Sequence, residues 1–203
     1  MRGAWDRPLE RAARLFLGCT LFGLGMALLV EAGLGLDPWT VFAQGVSEHT
    51  GLSLGTVVVL TSLAVLALWP PLRQRPGLGT IANALWVGPM LDLGVALFPT
   101  PGPLLSRIAF MIGAVVVVAI GSGLYIGAGW GPGPRDGLMT GLADRGVPIA
   151  VGRTAIELTV LVAGWLLGGT VGVGTAVFAL GIGPLVGRAL PALSVRPHAT
   201  AAS

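Results

Sequence analysis

The sequence contains no lysine: all twelve basic side chains among its 203 residues are arginines. Its one cysteine, Cys19, can close no intrachain disulfide and so says nothing of redox compartment. Of its two histidines, His49 sits in a loop and His198 in the tail, and neither stands at metal-ligand spacing from another candidate. No Ser/His/Asp set, Cys/His pair, phosphate-cradling loop or metal motif can be assembled, and Gly-x-Gly patterns carry no information among 33 glycines. An enzyme would lack a reaction centre, so no catalytic residue, metal or cofactor is expected. Charge is scarce too, at 10% of residues against 54% hydrophobic, with a mean hydropathy of +0.85. A soluble domain of this length could not cover itself with so little polar surface.

What is there is apolar and of membrane length. Residues 52–72 and 108–134 carry no charged side chain, and about 20 apolar residues in a helix cross a bilayer core of about 30 Å. Spans are predicted near residues 13–33, 53–72, 79–98, 107–128, 149–168 and 171–190. Breaks fall at Pro70-Pro71, at residues 99–103, at the glycine-proline run 129–134 and at Gly168-Gly169. The arginine-rich start followed by residues 15–30 has the layout of a secretory signal. No small-residue cleavage site follows it, and it has a counterpart at residues 110–127, so a span is expected there. The tail, residues 193–203, is expected to be disordered.

The arginines give the direction. With both termini in the cytoplasm, Arg2, Arg7, Arg11, Arg14, Arg73, Arg75, Arg135, Arg145, Arg153, Arg188 and Arg196 fall inside, and only Arg107 outside. That is the positive-inside pattern, which five or seven spans would scramble. The net charge of +3 thus orients a plasma-membrane protein. No basic face with interleaved aromatics exists to bind nucleic acid.

The chain also says the same thing twice. Residues 79–89 reappear at 174–184, an offset of 95, and Ala32–Pro38 is echoed by Ala128–Pro134, an offset of 96. Residues 11–98 therefore match residues 106–192 within a single membrane domain. A duplicated unit with three spans must insert its second copy upside down, the inverted-repeat arrangement of many secondary transporters. The expected fold is an all-α, polytopic six-span bundle of two inverted repeats.

Each repeat carries a further short piece after its first span, at residues 37–46 and 135–143. Asp37 followed by Pro38 reads as an N-cap with proline at the first helical position, and Asp136 reads as a second N-cap. Two readings fit these pieces: flat interfacial helices, or re-entrant half-helices dipping in from opposite sides to line a cavity. Gly88-Pro89 and Gly183-Pro184 place a helix-kinking proline at matching points of the two copies. The glycines at one-turn spacing, Gly121, Gly123 and Gly127, Gly164 and Gly168, Gly183 and Gly187, suit close helix contacts.

Ionisable residues at membrane depth cost about 2.5–3.5 kcal/mol at the bilayer centre and are rarely idle. Glu31, Asp92 and Glu157 are the acidic ones, with Arg153 one turn before Glu157. Arg153 and Glu157 read either as an ion pair easing insertion or as a pair that binds an anion or relays a proton. Arg135, Asp136, Asp37, Trp39 and Asp92 complete the candidate substrate-binding set.

Polar residues in fixed order carry a resemblance. The run 131–139, then Arg153 and Glu157, then residues 164–175, together with residues 35–39 and 50–56, resemble the YczE/YyaS/YitT-type bacterial integral membrane proteins. The resemblance spans nearly the whole chain and implies a multi-pass plasma-membrane protein, with no settled substrate. A small-solute permease or channel with its site where the repeats meet is expected. The rival is a non-transporting accessory or scaffold protein. Its partners would be the lipid bilayer and an unknown small solute, and a homo-oligomer is compatible with it. A permease should gather Arg153, Glu157 and both short helices around one cavity; a scaffold would fill that space with Leu, Val and Gly.

Overall fold

The computed structural model describes residues 7–195, so Arg2, Arg196, His198 and most of the expected tail lie outside the described residues. Eight helices follow in order: α1 (Pro8–Ala32), α2 (Pro38–Thr50), α3 (Leu54–Ala67), α4 (Leu78–Leu97), α5 (Leu104–Gly127), α6 (Pro134–Ala143), α7 (Ile149–Leu166) and α8 (Val173–Leu193). No strand occurs among the described residues. Five helices, α1, α4, α5, α7 and α8, are long and apolar enough to cross a bilayer. The helix expected at 53–72 is shorter than the sequence suggests. α3 has 14 residues, about 21 Å at about 1.5 Å per residue, because turns around Pro70-Pro71 stop it. With α2, from which it is bent by 114°, it forms either a broken span or a re-entrant loop, which gives five or six spans. At the other end of the chain, order reaches past the helix. Val195 donates its amide to the Gly127 carbonyl at 3.0 Å.

Local chemistry sets the helix starts. Asp37 accepts from the Thr40 amide at 3.3 Å and from the Thr40 hydroxyl, capping α2. Ser53 accepts from the Thr56 amide to cap α3. In α4 and α8 the cap residue is glycine, and Thr80 and Thr175 accept from the Gly77 and Gly172 amides, both at 3.2 Å. Asp136 is not an N-cap. α6 starts at Pro134 behind Gly133, which leaves the Asp136 carboxylate for another partner.

α1 and α5 run antiparallel at the centre. Cβ atoms on Gly18 or Gly121 would lie 2.7 Å from the opposite backbone carbonyl, so the two helices touch main chain to main chain. Each ends against an arginine from the start of the other. Arg11 donates to the Ala128 carbonyl at 2.7 Å, and Arg107 donates to the carbonyls of Ala32, at 2.8 Å, and Gly33. α4 flanks α1 and α8 flanks α5, while α2 packs on α7 and α3 on α6. The bonds recur at the sequence offsets: the Gly79 amide donates to Trp130 O at 2.8 Å, and the Gly174 amide to Leu34 O at 2.7 Å. Gly35 and Gly131, at φ +112° and +116°, turn the chain where these bonds form, a conformation other residues resist.

The two halves part company at one seam. α3 is locked to α4, with Gly55 against the Gly88 carbonyl. α7 scarcely touches α8, and Cβ atoms on Gly183 and Gly187 would meet nothing within 4 Å. The expected close helix contact therefore holds at Gly121, Gly123 and Gly164 and fails at Gly183 and Gly187.

Candidate functional site: a charged cavity between the halves

A cavity of about 170 Å³ lies between the halves. Its walls come from the long helices: Phe22 and Met26 of α1, Asn83 and Val87 of α4, Ser122 and Tyr125 of α5, Phe178 and Ile182 of α8. The starts of both short helices face into it, contributing Asp37, Pro38 and Trp39 from α2 and Pro134, Arg135, Asp136 and Met139 from α6. α3 gives Val58 and Ser62; α7 gives Arg153 and Glu157.

Its charges form two groups. Arg135 Nη1 lies 3.8 Å from Asp37 Oδ1, with 19% and 5% of the side chains exposed, and its guanidinium sits 4.9 Å from the Trp39 ring centroid. That geometry combines an ion pair with a cation–π contact. The Tyr125 hydroxyl donates to Asp136 Oδ2 at 2.9 Å. The Asp37 and Asp136 carboxylates stand beside the guanidinium, and an arginine stays charged in such surroundings. The second group is on α7, where Arg153 Nε donates to Glu157 Oε1 at 2.9 Å. Arg153 is nearly half exposed, and Glu157 about a quarter.

Local packing holds α6 in place. Trp69 donates its indole N–H to the Pro134 carbonyl at 3.1 Å, and its ring fills the space beside Gly137 where any Cβ would clash. Every buried side-chain nitrogen and oxygen among the described residues has a hydrogen-bond partner. Among those residues no group of three His, Cys, Asp or Glu is arranged to hold a metal ion.

Of the residues expected at a site, six line this one cavity: Asp37, Trp39, Arg135, Asp136, Arg153 and Glu157. Arg135 and Arg153, counted from sequence on the cytoplasmic side and as binding candidates, both line the cavity. Asp92 does not. Its carboxylate accepts from the Ser53 hydroxyl at 2.6 Å and the Gly55 amide at 2.7 Å, and so caps α3. Gly88 is pinned against Gly55, whereas Gly183 borders the cavity with open space beside it. Pro89 and Pro184 sit inside helices that continue past them. Sequence reading missed Tyr125, Asn83, Ser62 and Ser122. Asn83 had a signal, since it lies in the repeated run that begins at Gly79, and Ser62 stands at the offset equivalent to Glu157.

The fold is that of a multi-pass helical membrane protein enclosing a charged cavity. The chain belongs to the family of unknown function DUF6198, whose profile matches residues 9–190, and to the YczE/YyaS-type membrane proteins. It is 36% identical to an uncharacterized protein of Haemophilus influenzae, over 96% of this chain and 89% of that one. It is 30% identical to the uncharacterized membrane protein YczE of Bacillus subtilis, over 87% and 83% of the two chains. With YyaS of Bacillus subtilis it shares 29% identity over 78% and 82%. No solved structure matches.

Proposed function

We propose that this chain is a small-solute permease of the plasma membrane, not an enzyme, built from two inverted three-span repeats with both termini cytoplasmic. The observation that carries this reading is the cavity itself. Two arginines and three carboxylates are gathered between the halves, where a scaffold would place Leu, Val and Gly. The reading is supported by the antiparallel α1–α5 pair, by the reciprocal arginines Arg11 and Arg107, and by the hydrogen bonds that recur at offsets of 95 and 96. α1 and α5 end at opposite ends of the bundle, yet Asp37 and Arg135, four and seven residues past Gly33 and Ala128, meet at 3.8 Å. Extended segments that re-enter from opposite sides and start α2 and α6 near mid-depth account for that meeting, and irregular backbone there survives because it faces a polar cavity. Alternating access would move the solute past this cluster.

A cysteine-accessibility experiment tests the reading. In a Cys19→Ser background, Ser122→Cys and Met139→Cys are expected to react with a membrane-impermeant maleimide in intact cells or inverted vesicles, and Glu157→Gln to change the rate. If neither position reacts from either side, the interior is dry and the scaffold reading stands instead.

A further inference from the structure

The cavity is not closed on all sides, and the place where it opens narrows the class of ligand. In the first half the wall between α3 and α4 is sealed by Gly55 against Gly88 and by Asp92 capping α3. At the equivalent place in the second half, Gly183 borders the cavity and is exposed, with nothing within 4 Å of a Cβ; Gly187, at the position equivalent to Asp92, is also open. Across the gap stand Arg153 and Glu157, partly exposed although they line the cavity. α7 and α8 are both long and apolar enough to be spans. A gap between their inner turns therefore faces acyl chains rather than water.

Resting on the permease reading, we infer that the ligand is an amphiphile that reaches the cavity sideways from the bilayer between α7 and α8, a cationic amine head inside and an apolar tail in the gap. Size supports this. A space of about 170 Å³ is smaller than the about 300–1,000 Å³ of pockets that enclose drug-sized ligands, so a head group fits within and an alkyl tail does not. Charge supports the sign. Asp37, Asp136 and Glu157 outnumber Arg135 and Arg153 by one, which leaves one formal negative charge for a cation to balance.

The test uses the full chain in phosphatidylcholine nanodiscs and a decyltrimethylammonium probe carrying a photoactivatable diazirine in its tail, with adducts mapped by peptide mass spectrometry. Adducts are expected on residues 178–187 and the facing turns of α7, displaced by excess decyltrimethylammonium. Glu157→Gln should lower labelling at least tenfold, and so should Gly183→Trp or, should that variant fail to fold, Val186→Trp. Uniform, non-displaceable labelling of all lipid-facing helices overturns the inference, as does labelling indifferent to Glu157→Gln. Displacement by decanoate instead of decyltrimethylammonium overturns the cationic head. Equal displacement by tetramethylammonium, with no effect of Gly183→Trp, overturns the sideways route while leaving a water-fed permease standing. Conversion of a dimer to a monomer by Gly183→Trp would make the gap a subunit contact and overturn it as well.

Discussion

Asp37 serves two elements at once: it caps α2 through Thr40 and faces Arg135 from the other half of the chain. The two roles separate by substitution. Asp37→Asn keeps a good cap and loses only the charge, while Asp37→Ala loses both, a further cost of about 1 kcal/mol. Arg135→Gln strands a carboxylate that is 5% exposed, where breaking such a pair costs about 3–5 kcal/mol. The double variant Asp37→Asn, Arg135→Gln should therefore melt higher than Arg135→Gln alone, as measured by thermal unfolding of purified protein in detergent. Arg153 and Glu157 differ because both are partly open. Glu157→Gln should leave membrane abundance unchanged, whereas Arg153→Ala, which leaves Glu157 without its ion-pair partner beside the gap, should lower it. The Arg153–Glu157 pair was legible in the sequence because one helical turn joins it. The Asp37–Arg135 pair was not, because its members lie nearly a hundred residues apart and no local rule brings them together. Asp92 has a partner just as distant in sequence: the helix start it caps, at Ser53 and Gly55, could not be read from its neighbours.

Among the elements, the α1–α5 contact is the most extensive. Leucine at Gly18 or Gly121 must push two backbones apart, at a cost of about 1–3 kcal/mol or more. Leucine at Gly113, where a Cβ meets nothing, should be neutral. Membrane abundance of the three variants measures this directly, and equal accumulation would show the seam to be loose. Helix identity was largely legible from apolar length, and five of six expected spans appear as single helices. The exception, α3, is shorter than expected because hydropathy runs on through residues 68–72, where Pro70-Pro71 and the turns around them end the helix. Hydropathy alone also could not tell the sealed seam from the open one. Gly88 and Gly183 sit in near-identical local sequence and differ only in what stands opposite them.

At the scale of the whole molecule, the hydrogen bonds sort the arginines by end. Arg14 donates to the Leu193 carbonyl, so the start of α1 and the end of α8 share one face; Arg11 and Arg145 hold neighbouring loops there, and Arg107 stands at the opposite end. A reporter fused after Ala199 should therefore read cytoplasmic, and one after Thr100 external. An external C-terminus would overturn both the span count and the inverted arrangement. The reciprocal arginines also bear on the order of events during synthesis. Ala32 and Gly33 leave the ribosome about 75 residues before Arg107, a wait of roughly 4–15 s at about 5–20 residues per second. Ala128, by contrast, emerges to find Arg11 long since made. The first half thus spends seconds in the insertion machinery with the end of its first helix unsatisfied, while the second half docks onto a partner already waiting. Residues 1–102 expressed alone should be short-lived in pulse-chase labelling, and co-expression of residues 103–203 should extend their lifetime.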